Sequence, residues 1–373
     1  MKALQSVRSA LVRNYFNFHG WSTNRHIVVI ESDDWGSVRM PSLKVYNLLK
    51  ANNVQLGQYG YEKYDTIASC EDLYKLFEIC EKHRDIYGNP VVITANCVVA
   101  NPDFERIIKD DYSCYYYEPI TETMQRYYPN ESPFNMWKEG IEHKCFFPQF
   151  HGREHVNVPL WMKSLRADVN GARLACEHGV FSVLVDKSFD ARKKNTASFY
   201  YVDEEERKVV FQSIKDGLEL FQKLFGFRSK SMIAPSYEWT SDIEKLVAQL
   251  GVKYIQSVHT HSESGRKQTL TVGKQNEHGQ RYLLRNANFE YSQNPEFDYF
   301  RDCLRNIAAA FRWHKPVTIS AHRLNFIGSL VPENRDNNLI LFDQLLTEIQ
   351  KRWPDVEFMT SPQLGQLIDE QDC

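Results

Sequence analysis

The feature that most restricts the fold is an alternation of short apolar runs with longer stretches of helical periodicity. The runs are rich in β-branched residues, which favour buried strands, and helical stretches of about ten or more residues separate many of them. A strand, a helix and a second strand in this order form a right-handed crossover in a parallel sheet. The predicted strands are Ile27–Glu31, Pro90–Val99, Lys144–Phe150, Val180–Val185, Ser231–Ala234, Val252–Gln256, Arg281–Leu284, Pro316–Ala321 and Val356–Met359.

The same pattern places the helices and selects an architecture. Polar residues recur where the runs end, and no Gly-rich phosphate loop follows the first run. Both features favour an α/β fold of the distorted (β/α) barrel type, with about seven strands, over a doubly wound sheet. The predicted helices are Leu4–Tyr15, Leu43–Leu49, Asp72–His83, Leu160–His178, Glu204–Phe225, Ser241–Leu250, Tyr299–Arg312 and Asn338–Arg352.

Length and the absence of linker composition indicate one barrel domain over residues 1–373, because barrels of this size commonly form a single domain. An amphipathic N-terminal helix is expected within residues 1–20. An aromatic-rich insertion of irregular sequence is expected at about residues 103–140. Its tyrosines lie mainly in the stretch Asp111–Tyr128.

Charge and cysteine usage exclude several classes of protein. A net charge of −3, with acidic and basic residues interspersed, gives no footprint for nucleic acid or an anionic membrane. The eight cysteines include no CxxC pair, which favours free thiols. The stretch Met1–Trp21 has no apolar segment of signal-peptide or membrane length. We therefore expect a cytoplasmic protein without membrane insertion.

Two groups of polar residues carry the chemistry. Asp33 and Asp34 end the first apolar run. Two adjacent carboxylates repel each other, so their presence there is best explained by a bound cation or by a role in proton transfer. His151 and His155 follow the third run, in His151-Gly152-Arg153-Glu154-His155. If a helical turn begins there, both imidazoles project from one face and can share a metal ion.

Four segments in order resemble the polysaccharide deacetylase family, the NodB-homology domain. They are Asp33-Asp34, His151 with His155, the stretch 234–239 around Tyr237, and the run that ends at His322. The resemblance covers about residues 27–322 and implies a metal-dependent enzyme that removes an acetyl group from an N-acetylated sugar by metal-activated water.

The resemblance also implies a role for each residue. It assigns one divalent metal ion, with zinc favoured, to Asp34, His151 and His155. It makes Asp33 the general base and His322 the general acid, and it places a backbone N–H that stabilises the oxyanion at Tyr237. Two imidazoles and one carboxylate leave an open position on a metal, which fits this chemistry.

Further residues are candidates for substrate binding. Trp35, Trp239 and the Tyr-rich insertion are hypothesised to form stacking walls for a sugar ring. The family pattern has an arginine where this chain has Ala234, so Arg285, followed by Asn286, is a candidate to supply that charge or to hold substrate.

Histidine and polar residues after two other runs are weaker candidates. Arg323 and Asn325 follow His322, and His259 and His261 follow the run Val252–Gln256. A surface salt bridge or a solvated loop position is the competing interpretation for these residues.

Other functions remain open. The partner is expected to be a small carbohydrate or amide, so hydrolysis of another carbon–nitrogen bond is one alternative, and glycan binding without catalysis is a second. The sequence His151–His155 also matches the inverted zinc-protease motif, with Glu154 as base. That motif needs a sustained helix, and Pro148 and Pro159 leave little room for one.

Overall fold

A computed structural model describes residues 11–57, 60–190, 192, 195–263 and 266–372, and a nine-stranded sheet forms its centre. The strands in chain order are β1 (Ile27–Trp35), β2 (Ile93–Cys97), β3 (Ala100–Pro102), β4 (Tyr117–Pro119), β5 (Phe146–Phe150), β6 (Ser231–Ile233), β7 (Tyr254–Ser257), β8 (Thr260–Glu263), β9 (Arg266–Thr269), β10 (Arg281–Leu284), β11 (Ala287–Phe289), β12 (Val317–His322) and β13 (Glu357–Met359).

The large sheet is parallel and curls into a half-barrel. Eight strands follow the order β10-β7-β6-β5-β2-β1-β12-β11, and β13 pairs with the start of β1. This arrangement confirms the predicted distorted (β/α) barrel. β3 with β4 and β8 with β9 form two separate antiparallel pairs.

Strand β1 lies at the centre of the half-barrel. It pairs with β12 on one side, in a register that sets Asp33 opposite His322, and with β2 on the other. All nine residues of β1 are buried, including Glu31, Asp33 and Asp34. The carboxyl ends of the parallel strands therefore bring residues far apart in sequence to one mouth.

Helices cover the outside of the sheet. The long helix after residue 203 shows why they form at these places: Asp203 caps its N-terminus, three glutamates fill its first turn, and Gly226 ends it in a left-handed conformation. The helices are α1 (Leu43–Ala51), α2 (Tyr61–Tyr64), α3 (Cys70–Lys82), α4 (Phe104–Lys109), α5 (Ile120–Tyr127), α6 (Pro133–Glu142), α7 (Val158–Ala167), α8 (Ala172–Glu177), α9 (Glu204–Phe225), α10 (Ser241–Gln249), α11 (Tyr299–Arg312), α12 (Pro332–Arg352) and α13 (Ser361–Asp372).

Two predicted elements differ from the structure. The helix predicted over Leu160–His178 is two helices, because the chain takes left-handed conformations at Asp168, Asn170 and Gly171. The strand predicted at Val180–Val185 is wrong, since this stretch makes only an isolated bridge to Leu56. It crosses the mouth of the half-barrel instead of joining the sheet.

The segment 103–140 is more regular than its sequence indicates. It holds α4, α5, β4 and most of α6. Several of its aromatic residues pack inward, as Phe104 and Tyr115 do in T-shaped contacts with Trp161, whereas Tyr117 is 39% exposed. The packing needs of these rings, which are not visible as periodicity, account for the regular structure.

The remaining expectations concern the N-terminus, membranes and thiols. Of the N-terminal helix, residues 4–10 lie outside the described residues, and residues 11–16 are helical. No helix in the described ranges has the length and apolarity to cross a membrane. The seven cysteines before residue 373 are free thiols, and five of them are buried.

Candidate active site

A bulge in β1 brings two neighbouring carboxylates to the same mouth. In a regular strand the side chains of Asp33 and Asp34 would point to opposite faces. Here the register with β2 shifts between Ser32 and Trp35, and Asp34 has a φ of 72°. A left-handed non-glycine residue inside a strand is uncommon and often marks a functional site. As a result, both Asp33 and Asp34 line one cavity.

Asp34 lies against both predicted histidine ligands. Its Oδ1 is 3.3 Å from Nε2 of His151 and 3.0 Å from Nε2 of His155. Each of the three buried residues offers one possible ligand atom, and these three atoms lie within 4.8 Å of one another. Two imidazoles and a carboxylate that converge in this way are a donor set suited to zinc or a similar divalent ion.

The surroundings hold the three side chains in a state that can bind a cation. The Nδ1–H of His151 donates to the carbonyl of Ile233 at 2.9 Å, which orients Nε2 toward Asp34. Burial, with the positive charge of Arg39, lowers the pKa of His155 to about 4, so this imidazole is neutral at neutral pH. Burial alone would raise the pKa of Asp34, but His155 and Arg39 hold this pKa well below its usual range.

Both histidines lie on an irregular loop and not on the helical turn considered above. Residues 151–157 contain no helix, and Gly152 has a φ of 109°. Glu154, the base of the alternative protease motif, is buried and accepts a hydrogen bond of 2.6 Å from Nε of Arg153. The helical context that the protease motif requires is absent from this loop.

Arg285 binds Asp33 with a two-pronged contact. Its Nη1 donates to Oδ2 at 2.7 Å and its Nη2 to Oδ1 at 2.6 Å, while its Nε donates to Glu31 at 2.6 Å. Burial would raise the pKa of Asp33, but the guanidinium lowers it to about 2. Asn96 adds a hydrogen bond of 2.8 Å to the same carboxylate. Asp33 is therefore an ionised, fixed carboxylate at the edge of the cavity.

This contact explains how the chain differs from the family pattern at position 234. Ala234 is buried beside the cavity and carries no charge. The guanidinium comes instead from Arg285, which follows β10 at the end of the sheet. Arg285 also donates to the Tyr237 hydroxyl at 2.8 Å.

His322 lies opposite Asp33 and is held by a second acid. Its Nδ1–H donates to Oε1 of Glu290 at 2.6 Å, and its Nε2 lies 3.7 Å from Oδ2 of Asp33. Burial would lower the pKa of His322, but Glu290 and Asp33 raise it to about 9. The imidazole is therefore protonated at neutral pH, with Nε2–H turned toward the cavity. Asn325 positions Glu290 with a hydrogen bond of 3.0 Å.

The predicted stacking walls do not line the cavity. Trp35 is 1% exposed and Trp239 3%, and both belong to the hydrophobic core. The indole of Trp35 donates to Ser32 at 2.9 Å, and that of Trp239 donates to Glu244 at 2.9 Å. Each indole is satisfied inside the protein, so this part of the prediction is wrong.

Two more predicted contacts have other partners. Asn286 donates to the carbonyl of Pro316 at 3.0 Å and accepts from the Thr318 backbone, which fixes the edge of the sheet. The N–H of Tyr237 donates to the carbonyl of Ala234 at 2.9 Å and is committed to a turn. The side chain of Tyr237 nevertheless lines the cavity.

The weaker candidates lie outside the cavity as well. Arg323 is fully buried and donates twice to Asp65, and His259 stacks on Phe16 with 4.6 Å between ring centroids. His261 stacks on Trp239 at 3.7 Å. The aromatic-rich insertion contributes no residue to the cavity lining.

Sequence reasoning missed Arg39 and Glu290. Arg39 lines the cavity and its Nη2 donates to Oδ2 of Asp34 at 3.2 Å. Glu290 holds His322. Neither residue lies in a recognised motif. The only sequence signal for either is a charged residue close to an apolar run whose end reaches the mouth of the half-barrel.

The cavity that these residues surround has a volume of about 330 Å³. Its floor holds Asp33, Asp34, His151, His155 and His322. Residues of loops and of the short helix α2 complete the lining, namely Arg39, Gly57, Tyr61, Glu62, Ser182, Val183, Leu184, Asn195, Thr196, Ala234, Ser236, Tyr237 and Gln293.

Comparison with known proteins shows the fold. No protein-family model matches the chain, and no curated protein sequence matches it. A crystal structure assigned to a polysaccharide deacetylase from Mycobacterium smegmatis superposes with a TM-score of 0.50 at 12% identity, over 95% of this chain and 94% of that one. The predicted resemblance is thus confirmed at the level of the fold.

Two other solved structures are similar at lower scores. One is assigned to a polysaccharide deacetylase from Pseudomonas aeruginosa PAO1, at 10% identity over 92% of this chain and 91% of that one, with a TM-score of 0.48. The other is Puue allantoinase, at 10% identity over 93% and 91%, with a TM-score of 0.48.

Proposed function

We propose that this chain is a divergent member of the polysaccharide deacetylase family that hydrolyses the acetamide of an N-acetylated sugar. The observation that carries the proposal is the pairing of Asp33, ionised by Arg285, with protonated His322 across one cavity. A base and an acid with pKa values pushed in opposite directions are the combination that amide hydrolysis needs.

Asp34, His151 and His155 would hold a divalent cation, with zinc favoured by the two imidazoles. Such an ion supplies Lewis-acid chemistry and makes water acidic enough to react near neutral pH. The Oδ1 of Asp34 faces the two imidazoles while its Oδ2 is bound by Arg39, so Oδ1 is the atom of Asp34 that would hold the ion.

The chain's own residues move the protons. Oδ2 of Asp33 accepts a proton as the water oxygen attacks the acetyl carbon, and Arg285 fixes the orientation of that carboxylate. Nε2–H of His322 donates a proton to the departing nitrogen as the carbon–nitrogen bond breaks. The products are acetate and a free amine, and the atoms of one water molecule are divided between them.

The position of Arg285 bears on the non-catalytic alternative. That alternative drew its main support from the missing arginine at position 234, and Arg285 makes a two-pronged contact with Asp33 in its place. A protein that only binds glycan has no need to ionise Asp33 and protonate His322 side by side.

Acetate release tests the proposal. Purified protein supplied with zinc would be incubated with N-acetylglucosamine, N-acetylmannosamine, N-acetylgalactosamine and their phosphorylated derivatives, and acetate would be measured by mass spectrometry. We expect release from at least one of these sugars. Release from none, with turnover of a cyclic amide, would replace the deacetylase with the other carbon–nitrogen hydrolase.

A further inference from the structure

One wall of the cavity consists of four uncharged polar residues. Ser182, Asn195 and Thr196 come from the chain between β5 and β6, and Ser236 comes from the turn after β6. They line the same cavity as Asp33, Asp34 and His322.

The oxygens of this wall are poorly satisfied by the protein. Among the described residues, no group hydrogen-bonds to Ser182 Oγ or to Asn195 Oδ1, although both are buried. Within the described chain, the one hydrogen-bond contact of Thr196 Oγ1 and Ser236 Oγ is with each other, at 3.4 Å. Leaving a buried polar atom unpaired costs about 1–3 kcal/mol, so a set of them at one cavity indicates that a ligand supplies the partners.

The backbone at Ser236 supports a binding role. Ser236 and Tyr237 both have a φ of 58°, a left-handed conformation in two successive non-glycine residues. Strain of this kind persists where the surrounding structure imposes it and is concentrated at functional sites. It turns the chain so that both residues line the cavity.

The charges of the cavity favour a neutral ligand. Each of the two cationic side chains that line it already has a carboxylate partner: Asp34 for Arg39 and Glu290 for His322. A site for phosphate or carboxylate would offer an uncommitted guanidinium or ammonium group. Within the described part of the lining, no guanidinium or ammonium group lacks a carboxylate partner, although Nε of Arg39 has no hydrogen-bond partner there.

The size of the cavity restricts the ligand further. A volume of about 330 Å³ lies at the lower end of the range for small-molecule sites, about 300–1,000 Å³. The bridge between Leu56 and Val183 and the hydrogen bond of 2.8 Å from Leu184 N–H to Gln55 tie two wall segments together above it. A cavity of this volume suits one ring better than an extended polymer.

We propose that Ser182, Asn195, Thr196 and Ser236 bind the hydroxyl groups of one uncharged sugar ring and thereby determine substrate specificity. The identity of the ring as an N-acetylated sugar rests on the proposed function. Asn195 Oδ1 accepts from a ring hydroxyl, and the three hydroxyl side chains donate or accept as the ring requires.

Two single variants test the wall, with N-acetylglucosamine as the probe. Ser182→Ala and Thr196→Val each remove one hydroxyl with little change of shape. We expect each to raise KM for acetate release, and Kd by calorimetry in the Asp33→Asn background, about 3- to 10-fold, the equivalent of one neutral hydrogen bond. Because the Ser182 hydroxyl has no protein partner, Tm of Ser182→Ala should stay the same or rise.

Ser198→Ala is the matched control. Ser198 Oγ is buried and lacks a partner in the described structure, like that of Ser182, but Ser198 does not line the cavity. We expect it to leave KM and Kd unchanged. The wall is refuted if Ser182→Ala and Thr196→Val bind the probe as wild type does, if Ser198→Ala weakens binding equally, or if wild type does not bind the probe.

The outcomes separate this inference from the proposed function. If the wall variants weaken binding of the probe but no N-acetyl sugar releases acetate, the binding role of the wall is supported and the proposed deacetylase activity is rejected. Acetate release with a KM that neither variant changes supports the deacetylase and overturns the wall.

Discussion

Asp33 and Glu31 share a single guanidinium in a buried environment. Burial raises the pKa of Glu31, and Arg285 offsets that rise only in part, whereas the two-pronged contact lowers the pKa of Asp33 to about 2. The folded pKa of Asp33 is below the ordinary value of about 3.9, so its ionisation stabilises the fold above that pH. This stabilisation is lost as the pH falls through 2.

Arg285→Lys tests the contact at the residue scale. A lysine keeps the charge but cannot form the fork to Asp33 together with the bond to Glu31. We expect the free energy of unfolding to fall by about 1–3 kcal/mol and the acidic limb of kcat/KM to move to higher pH. Denaturant titrations and pH–rate profiles measure both.

Arg281→Lys is the control. Arg281 begins β10, the strand that Arg285 follows, but its Nε donates a hydrogen bond of 2.5 Å to Asp369 and not to Asp33. Its pH profile should match that of wild type. An unchanged acidic limb in Arg285→Lys would show that Arg285 does not set the ionisation of Asp33.

His322 gives a prediction of the opposite sign. Its folded pKa of about 9 is above the ordinary value of about 6.5. The protonated form therefore stabilises the fold below pH 6.5, and this contribution is lost as the pH rises through about 9. As the general acid, His322 should also produce an alkaline limb near pH 9 in the rate.

Glu290→Gln should move that limb. The amide can still accept the hydrogen bond from Nδ1 but carries no charge, so the pKa of His322 falls toward its ordinary value. A pH–rate profile should show the alkaline limb shifted to lower pH by about one unit or more. A limb that stays near pH 9 would contradict the assignment of Glu290 as the partner of His322.

At the scale of elements, the bulge in β1 decides whether Asp34 can reach the histidines. Asparagine tolerates a left-handed backbone better than alanine does. We expect Asp34→Asn to keep the wild-type Tm within a few degrees and Asp34→Ala to lose about 1 kcal/mol more stability. Both should lose bound zinc, as measured by elemental analysis.

Equal stability of the two variants would show that the positive φ of Asp34 places no strain on the strand. Retention of zinc by both would remove Asp34 from the ligand set. The second result would contradict the site, whereas the first would change only the account of the bulge.

Some elements could be predicted from the sequence and others could not. β1 begins with four β-branched apolar residues and β12 has an apolar residue at every second position, so both strands and the polar residues at their ends are readable. The stretch Val180–Val185 is similarly apolar, but it lies over the mouth, where no neighbouring strand pairs along it. The hydrophobic pattern of a segment indicates that it is buried, but it does not indicate which part of the protein covers it.

The side chains of the site divide in the same way. Asp34, His151 and His155 lie in motifs, and the structure brings them together. Trp35 and Trp239 adjoin motif residues, yet a side chain next to a site in sequence points away when the strand alternates or the turn reverses. Glu290 has no motif, and only the tertiary fold places it beside His322.

For the whole molecule, the half-barrel matters because it gathers the ends of parallel strands. Asp33 lies near the end of β1, His151 follows β5, Arg285 follows β10 and His322 ends β12. Each of these strands contributes one or two groups, and the curl of the sheet brings Arg285, from the strand at one end of the order, within 2.7 Å of Asp33. The fold class and this gathering followed from the order of strands and helices, whereas the loops that close the cavity did not.

The most direct test of the account separates the base from the metal site. Wild type and Asp33→Asn would be purified in parallel and compared in zinc per chain and in acetate released from the best N-acetyl sugar. Asparagine keeps the shape of the side chain but cannot accept the proton, so we expect equal zinc content and a rate lower by about 100- to 10,000-fold. A rate within a few fold of wild type, with zinc retained, would contradict the central claim.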